Sequence, residues 1–334
     1  VTAFALPPDA SAAATAALTR AAGIVAPALE EAVSRLSPSL QAPLQHHLAG
    51  GGKRVRAALS LLSAAATGGS EEDGVLGAVA IELIHNFSLI HDDIMDGDTE
   101  RRHRATVWSE FGVGPAIIAG DALSTLAVQL LLEEPTSARV RAAACLVEAT
   151  QVMIAGQADD LAFESRPFVT VAECLEMERG KTSALLACAV SLGALLTGAP
   201  APTVAALAEF GSHLGTAFQA VDDLLGVWGE PERTGKPVGS DLLQHKKTLP
   251  VSIALARAQG SQPELLRLLQ GDLSAADVER ARIVMEEAGA KDETAAMADE
   301  HLALALAALD RVSLVSGPKD DLVAVAHFVT ERDR

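Results

Sequence analysis

Cysteine is scarce, with three in 334 residues (Cys145, Cys174, Cys188), each in an apolar or helix-like setting and none in a Cys-x-x-Cys spacing. That excludes a disulfide-stapled miniature and a structural zinc site, and it points to a reducing compartment, the cytoplasm. Positive charge is also short: 26 Lys plus Arg face 44 Asp plus Glu, a net charge of −18. A nucleic-acid backbone is therefore excluded as the main partner, and any anionic ligand must be met by local cations or by metal. Aromatics make up 3% and tyrosine is absent, yet 49% of the chain is apolar, ample for a sizeable core and incompatible with disorder. The Ala-rich opening lacks the basic-then-apolar order of a signal peptide, so no targeting segment is expected. The uncharged stretch from Thr182 to Ala208 is cut by Gly198, Pro200 and Pro202, which leaves no comfortable transmembrane span.

Alternating Val/Ile/Thr runs bounded by turn residues are essentially missing, whereas apolar residues recur at three and four residue spacings almost everywhere. The chain reads as all-α. Helices are predicted over about Ala14–Arg35, Val55–Ala66, Val75–Met95, Gly114–Leu132, Ser137–Leu161, Val171–Leu196, Thr203–Val227, Leu249–Gln259, Ala275–Glu287 and Glu293–Val312. Between them stand Gly50 to Gly52, Gly68-Gly69, Thr197 to Pro202, Gly229 to Gly239 and Gly317-Pro318. With no long linker, composition shift or fixed-period repeat, a single domain over 1–334 is expected.

The segment Leu89-Ile90-His91-Asp92-Asp93-Ile94-Met95-Asp96 closes a long apolar helix. Asp92 and Asp96 lie four residues apart, and Asp93 and Asp96 three, so the carboxylates share a helix face. Hard oxygens crowded in this way suit Mg²⁺, which takes a few carboxylates plus oxygens of a substrate phosphate; an exposed acidic helix end is the alternative. A second element, Phe218-Gln219-Ala220-Val221-Asp222-Asp223, also ends an apolar helix. Cations follow each: Arg101, Arg102 and Arg104 after the first, Lys236, Lys246 and Lys247 after the second. Acid for metal and base for phosphate together imply a diphosphate. Gly50-Gly51-Gly52-Lys53-Arg54-Val55-Arg56 adds a glycine turn running into a helix start, a second anion site that lacks the Walker pattern.

Gly51-Gly52-Lys53-Arg54-Val55-Arg56, the Glu82 to Asp96 run with His85, Arg101-Arg102, Gly120-Asp121, Gly156-Gln157, Lys181-Thr182, Phe218-Gln219 with Asp222-Asp223, Gly235-Lys236 through Asp241, and Lys246 to Pro250 occur in order along the chain. Together they resemble the trans-isoprenyl diphosphate synthases, or polyprenyl synthetases, over about residues 40–255. The resemblance implies an all-α bundle of ten or more helices around a central apolar cavity. It also implies that Asp92, Asp96 and Asp222 bind Mg²⁺, three ions in all, bridging to an allylic diphosphate. Asp93 belongs to the same catalytic acidic face. Arg101, Lys181 and Lys236 would neutralise the departing diphosphate, and Lys53, Arg56, His85 and Arg102 would hold isopentenyl diphosphate. Thr182, Phe218, Gln219 and Lys246 fall in substrate-binding motifs, and the family forms homodimers. His91 is expected to support the metal face structurally rather than to ligate.

Two departures from the family pattern stand out. Gly226 occupies the place of the usual third Asp of the second element, which would weaken metal binding modestly, and His103 stands where a Gly normally follows the Arg pair. Asp222 to Glu230 also resembles the second metal motif of class I terpene cyclases, and a regulatory subunit of the same fold is a further alternative. A cyclase ionises one diphosphate and would have no use for Lys53, Arg56 and His85. Product length should be set N-terminal to Asp92: Phe87, the only aromatic on that helix, and small Ser88 resemble synthases that stop at medium length. Geranylgeranyl diphosphate is the expected product, with farnesyl diphosphate next.

Overall fold

A computed structural model describes residues 8–230, 237–257, 262–269, 271 and 273–331. The fold is all-α, as the periodicity predicts. In chain order the helices are α1 (Pro8–Ser34), α2 (Pro38–Leu48), α3 (Val55–Ala66), α4 (Val75–Met95), α5 (Val107–Phe111), α6 (Val113–Leu132), α7 (Ser137–Glu164), α8 (Val171–Glu178), α9 (Ala184–Leu196) and α10 (Ala201–Trp228). Shorter and C-terminal helices follow at Ser240–Leu243, Leu249–Arg257, Gln262–Leu268, Ala275–Glu287, Ala290–Asp310 and Ser316–Thr330.

The chain forms two compact units interleaved in sequence: 1–150, 185–208 and 309–325 in one; 151–184, 209–308 and 326–334 in the other. In the first, α4 packs most extensively against α6 and next against α3. Its core is aliphatic, with Leu59, Leu61, Leu62, Ile81, Leu83, Ile84, Leu123 and Leu126 almost completely buried. The second unit buries Phe163, Cys174, Met177, Val221, Leu249, Ile253 and Met285 in one cluster. Cys174 and Cys188 are buried, Cys145 is half-buried, and all three thiols are free. By length and composition Ser11–Ser34, Glu72–Met95 and Val113–Leu132 could each cross a bilayer, a different set from the stretch weighed above.

Several predicted boundaries move for identifiable reasons. Helix α10 begins at Ala201 instead of Thr203, and Ser316–Thr330 is a further helix that the periodicity did not predict; Pro202 and Pro318 sit in their first turns, where a missing N–H leaves no hydrogen bond unmade. The predicted continuous helix Val171–Leu196 is instead α8, a π turn over Arg179–Ser183, and α9. Thr170 and Glu173 close a reciprocal capping box at the start of α8. The basic run after the first acidic element is a two-stranded antiparallel ribbon pairing Glu100 with Ala105 and Arg101 with Arg104. Its two turn residues, Arg102 and His103, have φ of 54° and 60°, as a two-residue hairpin turn with two left-handed centres demands.

Candidate active site

In the first unit the site is built on α4. Its first acidic element spans the last turn: Asp92 is half-buried, Asp96 is the exposed C-cap residue, and the Asp96 N–H donates to the Asp92 carbonyl at 2.8 Å. Asp93 points the other way and is 1% exposed. Arg101 Nε donates to its Oδ1 at 2.7 Å, while Oδ2 is buried without a hydrogen-bond partner. Burial raises the Asp93 carboxyl above its ordinary range, and the Arg101 charge opposes the rise. Adjacent aspartates that the sequence presents as one face therefore divide, one toward the open end of the helix and one into an ion pair.

The glycine turn into α3 brings its cations against α4. Arg54, with φ of 51°, caps α3 and pairs with buried Glu82 at 2.6 Å; Glu82 also accepts from the Ala57 N–H at 3.3 Å. Arg56 Nη1 donates to His85 Nε2 at 3.3 Å, and the Arg56 Nε is buried without a partner. Desolvation pushes the His85 imidazole well below its usual value, with the Arg56 charge adding to it, so the ring is neutral and accepts. The Arg102 guanidinium donates to the Gly51 carbonyl and lies over Gly52, where a Cβ would meet Nη1 at 2.9 Å. Lys53 is exposed beside them. Three residues taken from separate motifs, Arg56, His85 and Arg102, thus stand on one end of the α3–α4 pair.

A concave pocket in this unit is lined by His46, His47, Asn86, Asp93, Arg101 and Arg102 among others. His47, which the sequence reading passed over, is driven to a pKa of about 4 by burial, and then by the Arg101 charge. Its only sequence signal is a tandem His before a Gly turn. On the opposite face of α4, Phe87 meets His91 edge-on, ring centroids 4.9 Å apart at 71°. His91 Nε2 donates to the Ile117 carbonyl at 3.1 Å and packs where a Cβ on Gly120 would collide with it. It is thus a clamp between α4 and α6, as a structural role predicts. Ser88 donates its hydroxyl to the His85 carbonyl at 2.9 Å.

In the second unit Lys181 and Thr182 occupy the π turn, a local widening often found at functional sites. The turn is pressed against Gly156 of α7, where a Cβ would collide with the Lys181 backbone nitrogen. Lys181 Nζ pairs with Asp160, and Thr182 donates to Gln219 Oε1 at 2.8 Å. Gln219 Nε2 in turn donates to Asp223 Oδ1 at 2.8 Å, and the Leu249 N–H donates to Oδ2 at 2.9 Å. As on α4, the first aspartate of the pair is the more accessible: Asp222 is exposed, whereas Asp223 is only 2% exposed. Burial pushes Asp223 well up and raises Glu178, its carboxyl neighbour, to about 7, so the pair holds a proton at neutral pH. Phe218 is half-buried on α10, and the Lys246 N–H donates to the Asp241 carbonyl at 2.9 Å. Buried Gln157 has neither amide atom hydrogen-bonded, and Lys236 lies outside the described residues.

The donor chemistry fits a hard divalent cation. Asp92 and Asp96 in the first unit, and Asp222 in the second, carry hard carboxylate oxygens, the donors that Mg²⁺ takes together with substrate oxygens.

The polyprenyl synthetase family profile matches residues 37–287. The chain belongs to the polyprenyl synthetase family. This polyprenyl synthetase is 42% identical over 333 residues to a geranylgeranyl diphosphate synthase of Mycobacterium tuberculosis, covering 95% of this chain and 94% of that protein. It is 40% identical over 325 residues to a (2E,6E)-farnesyl diphosphate synthase of the same organism, covering 92% and 90%. Its fold matches the crystal structure of a polyprenyl synthetase from Streptomyces coelicolor with a TM-score of 0.91 at 46% identity, over 94% of this chain and 99% of that one. The protein is a trans-prenyltransferase with the all-α isoprenoid synthase fold. Enzymes of this family are Mg²⁺-dependent.

Proposed function

We propose that this prenyltransferase condenses isopentenyl diphosphate with an allylic diphosphate and stops at geranylgeranyl diphosphate. The observation that carries the length is Phe87. It lies five residues before Asp92 on apolar α4, about 7.5 Å along the axis, and its ring is held edge-on by His91. A chain growing along that helix from the acidic end meets a fixed aromatic wall. Each added isoprene unit buries carbons worth roughly 0.8 kcal/mol apiece, so growth stops by steric blockage and not by lost affinity.

In this reading Asp92, Asp96 and Asp222 are the Mg²⁺ ligands. Mg²⁺, three ions in our reading, supplies Lewis-acid stabilisation of the diphosphate leaving group when bound. Arg101, Lys181 and Lys236 neutralise the same charge as the allylic C–O bond breaks. Lys53, Arg56, His85 and Arg102 hold isopentenyl diphosphate, and the neutral His85 acts as an acceptor that orients Arg56. Thr182, Phe218, Gln219 and Lys246 shape the allylic end, with the Thr182–Gln219–Asp223 relay keeping the π turn against α10. The new C–C bond forms between the allylic carbon and the isopentenyl double bond, and the released diphosphate takes the proton, so no side-chain base is called for. Apolar exposure on α6 (Val113, Ile117, Ile118) and α7 (Val140, Val147) favours a homodimer, and three free thiols favour the cytoplasm.

The test is incubation with farnesyl diphosphate and labelled isopentenyl diphosphate, followed by phosphatase treatment and chromatography. Geranylgeraniol is expected, and Phe87→Ala should move the distribution at least one unit longer. Farnesol as the terminal product from shorter primers, or an unchanged length in Phe87→Ala, removes the length assignment. Release of a cyclic hydrocarbon without isopentenyl diphosphate would favour the cyclase reading. A monomer mass by light scattering at micromolar concentration would reject the dimer.

A further inference from the structure

The thiols of Cys145 on α7 and Cys188 on α9 stand 3.8 Å apart, in hydrogen-bond contact, although 43 positions separate them in the chain. Both belong to the first unit. Their exposure differs: Cys188 is 3% exposed, whereas Cys145 is half-buried and reaches solvent. Ala142 and Ala149, three before and four after Cys145, are buried on its side of α7, so short side chains line the seam around the sulfurs. The exposed Val140 and Val147 lie, at ~100° per residue, on the far side of α7, so the apolar face that favours a homodimer is not the edge carrying the thiol. The hydrogen bond to Cys188 holds the Cys145 thiol below its usual value, against burial and the Glu148 charge. The same contact, followed by burial, pushes Cys188 well up. Cys145 is therefore the better source of thiolate. Cys174, in the second unit, is fully buried, and its Sγ lies 3.2 Å from both Glu178 Oε1 and the Lys247 carbonyl oxygen. Burial and then the Glu178 charge push that thiol well up.

We propose that Cys145 and Cys188 are a hydroperoxide-responsive dithiol, with Cys145 the attacking sulfur and Cys188 the resolving one, whose oxidised form is a disulfide between α7 and α9. Redox-sensing cysteines are accessible, rich in thiolate and poised beside a second thiol; this pair meets those conditions and Cys174 does not. In the first step the Cys145 thiolate attacks an oxygen of hydrogen peroxide, the O–O bond breaks, and the departing hydroxide takes a proton to leave as water. Cys145 becomes a sulfenic acid, oxidised by two electrons. In the second step the Cys188 sulfur attacks the Cys145 sulfur, the S–O bond breaks, and the hydroxide leaves as water with the Cys188 proton. Two thiols and one peroxide thus give one disulfide and two waters. In a reducing compartment such a bond is transient, formed under peroxide and reopened by dithiols. Helix α9 starts directly after the π turn that carries Lys181 and Thr182, so the bond ties α7 to the helix that continues from this turn.

The test treats the reduced full chain with graded hydrogen peroxide, alkylates the remaining thiols after denaturation, and maps unreduced peptides by mass spectrometry. A peptide pair joining Cys145 to Cys188, lighter by two hydrogens and separated again by dithiothreitol, is expected, with Cys174 still alkylated. In Cys188→Ser, Cys145 should stop at the sulfenic acid and be trapped by dimedone. In Cys145→Ser, Cys188 should stay reduced at the same peroxide doses. Sulfenic or sulfinic acid at Cys145 of the wild-type chain with no link to Cys188 overturns the proposal. So does a Cys145–Cys145 link between two copies on a non-reducing gel, or oxidation of Cys174 as readily as of the pair. Peroxide consumption by Cys188 in Cys145→Ser overturns the assignment of the attacking sulfur. The wild-type map needs no substitution, so it decides the pairing even where a serine variant fails to fold by circular dichroism.

Discussion

Arg101 donates its Nε–H to a carboxylate oxygen of Asp93 at 2.7 Å, and Asp93 is 1% exposed while its neighbour Asp92 is half-buried. Asp92→Ala should therefore leave thermal unfolding nearly unchanged and lower turnover by about three decades, equivalent to ~4 kcal/mol of transition-state stabilisation. Asp93→Asn should do something different. It leaves a partly buried guanidinium facing a neutral amide, and the chain should lose roughly 1–3 kcal/mol of stability. Paired melting curves and single-turnover rates separate the two, and equal stability losses would contradict the division of roles.

Arg56 and His85 touch each other on the α3–α4 pair, apart from the acidic end of α4. If they serve isopentenyl diphosphate, Arg56→Ala should raise the Michaelis constant for that substrate by at least about tenfold while moving the allylic constant much less. Equal changes in both constants would make the glycine-turn element structural.

The ribbon turn carries His103 at φ of 60°, a conformation glycine adopts without a Cβ penalty. His103→Gly should raise the urea midpoint by about 0.5–1 kcal/mol in stability with an unchanged m-value. A lowered midpoint would mean that the imidazole makes a compensating contact.

Buried Glu178 has its carboxyl raised to about 7, chiefly by desolvation. A carboxyl whose folded value lies above its unfolded one stabilises fully below the unfolded value and loses that contribution as pH rises through the folded one. The wild-type chain should therefore lose stability between about pH 4.5 and pH 7 relative to Glu178→Gln, by an amount on the order of a few kcal/mol. Parallel stability profiles for the two proteins across that window would show that Glu178 does not titrate there.

The helices that the periodicity located were those with long, uninterrupted apolar faces, such as Val55–Ala66 and Val75–Met95, whose bounds agree with the structure. Helix α2 escaped because Pro38 and Pro43 read as breakers, and its end carries His46 and His47 instead of an apolar stripe. The ribbon at 100–105 escaped because strands of two residues have no period. The π turn within 171–196 escaped because one extra residue per turn is invisible to a three-and-four pattern and is imposed by the close approach of Gly156.

The sequence by itself determined the helical class, the acidic and basic motifs and their order, since spacing along one helix fixes which side chains share a face. Spacing alone could not rank adjacent aspartates: burial separates Asp92 from Asp93 and Asp222 from Asp223, and burial depends on which helix or loop packs above them. Nor could it relate Cys145 to Cys188, 43 positions on, because no spacing rule joins residues on two different helices. Local pattern is carried by the chain. Desolvation and volume exclusion are properties of residues distant in sequence and close in space, and only the tertiary structure decided them.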